Sequence, residues 1–159
     1  MSDPMLKLSV EDKKIVAALW ENEECPYFDL LLFEDGLILP LDVVANEDGI
    51  TINPLGCLSA STALGLNHEL NEGFAQLCHR EYIELGLTGS SGDCCASGEN
   101  GFVSVTSTSS GKLVWLAFFM TSNPFEDVCI DGDAVVARST YGHSYKFKLS
   151  RPQEVVVTM

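Results

Sequence analysis

The first regular pattern in the chain has the period of an α-helix. Apolar residues recur on one helical face between Val10 and Glu23, which predicts a helix with one buried stripe. Ser9 precedes this stretch and Asp12 lies three residues after Ser9, so we expect a capping box at the helix start. Pro26 cannot continue the helical hydrogen bonds, and we therefore expect the helix to end before it.

The next pattern is typical of short strands separated by turns. Tyr27 to Phe33 and Leu37 to Val44 flank an Asp-Gly turn, and Ile50 to Ile52 follows a second turn. These three segments predict a small antiparallel meander near the N-terminus. Pro40 interrupts the second strand and favours a sheet edge or a bulge there.

The middle of the chain gives three different signals. Residues 55–66 are mostly small and fit a helix or a strand, with a helix favoured. Residues 67–85 carry an apolar stripe at helical spacing and are followed by Gly86, which predicts a second principal helix. Residues 87–101 contain four glycines and three serines, a composition that predicts a flexible surface loop.

The last third of the chain has the pattern of a sheet. Leu113 to Met120 is entirely apolar, so we expect it to be a central, buried strand. Turn residues then separate strands at about 134–140, 144–149 and 154–158. The predicted fold is a single α+β domain over residues 1–159, with two principal helices, the N-terminal meander and a larger C-terminal antiparallel sheet.

The net charge of −14 is concentrated in the middle of the chain. Residues 15–111 hold fifteen acidic side chains and one base, Arg80, whereas residues 112–159 are neutral overall. A negative field of this kind repels phosphate groups, so we expect no nucleic acid or membrane partner. It favours a basic protein partner, although acidity can also serve solubility alone.

The sequence also gives expectations for the cellular location, the cofactor content and the state of the cysteines. The longest apolar run has eight residues, far fewer than the ~20 of a membrane-spanning helix. The N-terminus lacks the apolar stretch of a secretory signal, so we expect a cytoplasmic protein. We also expect no cofactor. We expect its six cysteines to be free thiols. They are Cys25, Cys57, Cys78, Cys94, Cys95 and Cys129.

One pair of residues suggests an enzyme. Cys57 follows Gly56 near a possible helix start, and His143 opens a late strand. This order resembles that of papain-like cysteine peptidases and amidases, and the resemblance implies acyl transfer with Cys57 as nucleophile and His143 as proton carrier. The alternative is that Cys57 is a small buried residue and His143 a turn residue.

A single cluster of soft ligands is dense enough to consider for a metal. It consists of Cys78, His79, Cys94 and Cys95, and its spacing matches no zinc pattern. Cys78 also belongs to the predicted apolar stripe, which favours a buried thiol beside a surface imidazole. We therefore assign no metal site from the sequence.

Small size, concentrated acidity and the lack of a persuasive catalytic motif together suggest a binding protein. In these features the chain resembles the immunity proteins that accompany bacterial polymorphic or contact-dependent toxins. The resemblance implies a non-catalytic module that neutralises a basic toxin domain. From the charge pattern we expect the meander to supply the contacts to this partner, through Glu34, Asp35, Asp42, Glu47 and Asp48.

A third possibility is a homodimeric interaction or structural subunit. Residues 154–158 form a short terminal strand with few charged residues to protect its edge, so two copies could pair there.

Overall fold

The computed structural model describes residues 6–67 and 69–159, and antiparallel strands dominate these ranges. The described residues form two helices, α1 (Val10–Glu21) and α2 (Ala60–Leu66). Their strands are β1 (Glu24–Pro26), β2 (Leu30–Phe33), β3 (Leu37–Asn46), β4 (Gly49–Pro54), β5 (Leu58–Ser59), β6 (Leu70–Glu72), β7 (Phe74–Tyr82), β8 (Leu87–Cys94), β9 (Gly101–Ser107), β10 (Leu113–Phe119), β11 (Phe125–Asp131), β12 (Ala134–Ser139), β13 (Ser144–Lys148) and β14 (Val155–Thr158).

Helix α1 begins as its sequence predicts. The Ser9 side chain accepts a hydrogen bond from the Asp12 backbone N–H, and the Asp12 carboxylate accepts one from the Ser9 backbone N–H. The capping box is therefore confirmed. The helix ends at Glu21, with Asn22 as its C-cap, five residues before the chain reaches Pro26.

The large sheet has the strand order β4-β3-β2-β10-β9-β8-β7, and β5 pairs with β3 beside it. The meander β2-β3-β4 is confirmed, and β10 is the central strand that its apolar run predicts. Pro40 pairs with Leu30 at the point where β3 leaves β2 and begins to pair with β4. A residue without a backbone N–H suits this change of partner.

The prediction of a second principal helix over residues 67–85 is wrong, because β6 and β7 occupy this segment. A bulge between Gln76 and Cys78 interrupts β7. After the bulge, Cys78 and Tyr82 face the C-terminal sheet, where they contact β11. Before it, Phe74 faces the helices. The bulge shifts the alternation by one residue, so a strand period appears in the sequence as a helical one.

The prediction of a flexible loop over residues 87–101 is also wrong, because β8 is a buried strand between β7 and β9. Its small residues allow close packing. A Cβ atom on Gly92 would clash with the Ala75 carbonyl oxygen, and one on Gly89 would touch Val128. Ser91 donates a hydrogen bond to the Phe125 carbonyl. The glycines and serines therefore mark tight packing in this segment.

The small sheet has the order β11-β12-β13-β14, which confirms an antiparallel sheet in the last third of the chain. The prediction that this sheet is larger than the one with the N-terminal meander is wrong, because β10 pairs with β2 and joins the meander to β7, β8 and β9 in the large sheet. The small sheet covers one face of the large sheet, and a core rich in aromatic residues fills the space between them. Helices α1 and α2 cover part of the opposite face over a second core. The two edge strands β11 and β14 lie beside β7 and β4, respectively. The fold is therefore mostly β, within an α+β class.

Asp12 joins the two helices. Besides capping α1, its carboxylate accepts hydrogen bonds from the backbone N–H and the hydroxyl of Ser61 in the first turn of α2, at 3.0 and 2.7 Å. The hydrogen bonds from Ser9 and Ser61 lower the pKa of Asp12 from 3.8 to about 2. Gly36, at the β2–β3 turn, packs directly against this point of α1.

Candidate functional site

Two short strands from distant parts of the sequence form a separate ribbon. Strands β1 and β6 pair antiparallel, and Glu24 lies directly opposite Glu72. Backbone hydrogen bonds extend the pairing, from Gly73 N–H to the Glu23 carbonyl and from Tyr27 N–H to the Glu69 carbonyl. We call the five glutamates on this strand pair or directly beside it the acidic ribbon: Glu21, Glu23, Glu24, Glu69 and Glu72.

The acidic ribbon has a buried underside and a polar outer side. Cys25 and Asn71 face inward and are almost completely buried, and the Cys94 thiol lies next to Cys25. Burial raises the pKa of both thiols, of Cys25 well above its ordinary value. These cysteines therefore pack as apolar side chains, while Glu24 remains half-exposed and Glu72 exposed.

The carboxylates between positions 15 and 111 form no ion pair with a lysine or an arginine in the described ranges. Arg80, the one base of this segment, pairs with Asp127 of β11 at 2.7 Å. Arg138, Lys148 and Arg151 pair with acids of the last third. Within residues 6–67 and 69–159, no acid between positions 15 and 111 forms a salt bridge with a lysine or an arginine. Most of these acids are exposed, so their negative potential is available to a partner.

The C-terminal end of α1 adds to this potential. The partial negative charge of a helix C-terminus favours a cation, yet the last turn of α1 contains no basic residue. Its last residue is the exposed Glu21, and Glu23 and Glu24 come after the C-cap residue Asn22. The helix end and the acidic ribbon therefore form one continuous negative region.

A cleft of about 550 Å³ opens beside this region, between α1, strands β7 and β8, and the β9–β10 turn. Its aromatic wall consists of Trp20, Phe74 and Phe102. The ring centroids of Trp20 and Phe74 are 5.7 Å apart, and those of Phe74 and Phe102 are 4.9 Å apart. The indole N–H of Trp20 donates to the Gly111 carbonyl at 3.1 Å, which fixes the orientation of its ring.

Charged residues of both signs line the cleft. Glu21 and Glu23 of the acidic ribbon line the cleft, and Glu34 also contributes to its lining. Lys13 lies eight residues before Glu21 on α1, which corresponds to about 12 Å along the helix. Lys112 projects from the β9–β10 turn. At the C-terminal end of α1 the cleft therefore combines an aromatic wall, the two acids Glu21 and Glu23, and the base Lys112 beside the Gly111 carbonyl.

The five acids predicted from the sequence are all exposed, but they do not form one cluster. Glu34 and Asp35 occupy the β2–β3 turn, whereas Glu47 and Asp48 occupy the β3–β4 turn. The ten residues of β3 separate the two turns, roughly 33 Å for an extended strand. Asp42 lies between them. Of these five, Glu34 is the one that lines the cleft.

Sequence reasoning did not find the acidic ribbon. Its two halves are more than forty residues apart, and the second half falls in the segment for which the sequence predicts a helix. Only the pairing of β1 with β6 brings Glu24 and Glu72 together. Glu21, Glu23 and Glu24, at the end of the first predicted helix, indicate half of the site. Nothing near them in the chain points to Glu69 or Glu72.

Cys57 and His143 make separate contacts in the structure. Helix α2 begins at Ala60 with Ser59 as its N-cap, so Cys57 lies outside the helix and packs against the core between the sheets. The ring of His143 stacks on Tyr141, with centroids 5.3 Å apart. In the described part of the chain no hydrogen bond joins Cys57 to His143, although a general base needs such contact with its nucleophile.

The four soft ligands considered for a metal make separate contacts. The Cys78 thiol donates to Asp127, and His79 Nδ1 forms a hydrogen bond with the Ser90 hydroxyl. Cys94 is buried under the acidic ribbon and Cys95 is exposed. Among the residues with described positions, no group of three His, Cys, Asp or Glu side chains is arranged to hold a metal ion.

Comparison with known protein families finds no model that matches the chain, and comparison with curated proteins finds no match either. None of the helices in the described ranges is both long enough and apolar enough to span a membrane.

Proposed function

We propose that this protein is a non-catalytic binding module that holds a basic protein through its acidic ribbon. The observation that carries the proposal is the position of Glu24 directly opposite Glu72, without a lysine or arginine bound to either in the described ranges. Like charges opposite each other on paired strands destabilise a sheet. A cationic partner would remove this repulsion on binding, which favours the complex.

The mechanism is electrostatic steering followed by contact. A surface region of one sign attracts an oppositely charged protein before the two touch, and can raise association well above the ~10⁵ to 10⁶ M⁻¹s⁻¹ of unsteered pairs. The exposed carboxylates around the end of α1 supply this attraction. The apolar wall of the adjacent cleft offers surface that a docked partner can bury, which slows dissociation.

Within this class we propose an immunity protein whose partner is a basic toxin domain. Small size, a net charge of −14 and, within the described ranges, carboxylates between positions 15 and 111 that no lysine or arginine pairs with support this assignment. The proposal implies that a neighbouring reading frame encodes the toxin and that its toxic domain is basic. Co-expression should then restore growth to cells that produce the domain.

The kinetic test compares two variants that lose the same charge. We expect Glu24→Gln/Glu72→Gln to slow association with the basic domain several-fold at low salt, measured by stopped-flow fluorescence. The control, Glu47→Gln/Asp48→Asn, removes two charges from the β3–β4 turn and should have a smaller effect. Unchanged association in both variants would contradict steering. A larger effect in the control would place the contact on the meander instead.

A further inference from the structure

The cleft beside the acidic ribbon has the composition of a pocket for one cationic side chain. We infer that its aromatic end binds an arginine of the basic partner, against the rings of Trp20 and Phe74 and next to Glu21 and Glu23. This inference rests on the proposed function and names the residue type by which the partner is anchored. The volume of about 550 Å³ is within the usual range for ligand pockets.

Charge complementarity identifies the occupant as a cation. Glu21 and Glu23 line this end of the cleft, and the C-terminus of α1 points its partial negative charge at the same place. No base in the last turn of α1 neutralises this charge. A positively charged side chain would therefore be attracted by two carboxylates and by the helix end together.

The aromatic wall favours arginine over lysine. A planar guanidinium stacks on aromatic faces and carries five N–H donors, whereas an ammonium is a compact, strongly hydrated charge. Ser90 and Gln76 line the same cleft and offer oxygen acceptors for these donors. The two rings are already held, Trp20 by the Gly111 carbonyl and Phe74 by stacking on Phe102. Fixed rings lose little conformational freedom on binding.

The test uses a hexa-arginine peptide, with hexa-lysine for comparison, titrated into the isotope-labelled protein at low salt. The protein contains two tryptophans, whose indole N–H signals are separate NMR reporters. We expect the Trp20 signal to shift saturably and the signal of Trp115, which is buried between the sheets, to remain in place. Hexa-arginine should bind several-fold more tightly than hexa-lysine.

Three variants separate the cleft from general attraction. Phe74→Leu keeps apolar volume but removes an aromatic face, so the preference for arginine should disappear and the affinity fall about 3- to 10-fold. Glu21→Gln, at an exposed position, should weaken both peptides without affecting folding. Lys112→Gln removes a like charge from the lining and should tighten binding. Glu47→Gln/Asp48→Asn is the matched control and should change little.

The possible failures are distinguishable. If hexa-arginine binds with salt dependence and Glu24→Gln/Glu72→Gln weakens it, but Trp20 does not shift and Phe74→Leu has no effect, the cleft is not the anchor and the proposed function stands. Equal affinity for both peptides overturns the assignment of arginine. If neither peptide binds at low salt, both the cleft and the acidic ribbon are wrong as binding sites.

Discussion

Replacing Asp12 with asparagine tests the junction that positions α1, and with it the cleft. The buried carboxylate accepts four hydrogen bonds, from the backbone N–H and hydroxyl of Ser9 and of Ser61, between 2.7 and 3.0 Å. Asparagine keeps one acceptor oxygen but turns an NH₂ group towards donors. We expect Asp12→Asn to lose hydrogen bonds at the start of both helices.

The pKa of Asp12 gives the magnitude of the stability that these hydrogen bonds contribute. The hydrogen bonds from Ser9, and then those from Ser61, lower it from 3.8 to about 2. At about 1.4 kcal/mol per pKa unit, the ionised form contributes about 2 to 3 kcal/mol to the free energy of unfolding. A depressed pKa stabilises the fold fully above pH 4, and this contribution is lost as the pH falls from about 4 to about 2.

Urea denaturation at several pH values measures both the loss of stability in Asp12→Asn and its changed pH dependence. At pH 7 we expect Asp12→Asn to lower the free energy of unfolding by about 2 to 3 kcal/mol, and between pH 4 and 2 its stability should fall less steeply than that of the natural protein. Asp42→Asn, at an exposed position on β3, is the matched control and should keep the natural pH dependence. The reasoning fails if Asp12→Asn retains the full loss of stability between pH 4 and 2.

Three further predictions address the acidic ribbon, the β2–β3 turn and the enzyme alternative. Glu24→Gln/Glu72→Gln should raise the free energy of unfolding by about 0.5 kcal/mol at low salt, and a gain that persists in 1 M salt would exclude relief of charge repulsion as its cause. Gly36→Ala should cost about 2 kcal/mol or more in urea denaturation, because Gly36 has φ +101° and a Cβ atom there would lie 2.7 Å from α1. Alkylation of Cys57, followed by mass spectrometry, should proceed at the same rate in His143→Ala, since the two side chains are not hydrogen-bonded to each other; a marked slowing would support the cysteine enzyme.

Local signals in the sequence determined several elements of the fold. Ser9 and Asp12 define the start of α1, because a capping box depends only on residues three apart. The apolar run after Leu113 indicates a strand buried on both faces, and β10 is central. The unequal distribution of acids and bases also follows from the sequence. It supports a cationic partner, although it does not show where on the surface such a partner would bind.

The tertiary structure decided what depends on contacts between distant segments. A single bulge after Gln76 concealed the period of β7, and the glycines of β8 are explained only by close contacts such as that of Gly92 with β7. Glu24 and Glu72 face each other because β1 and β6 pair, and neither segment alone encodes that pairing. Periodicity and capping are short-range properties that a sequence displays directly. Strand pairing and the packing of one layer on another are long-range, so the site they create appears only in the folded chain.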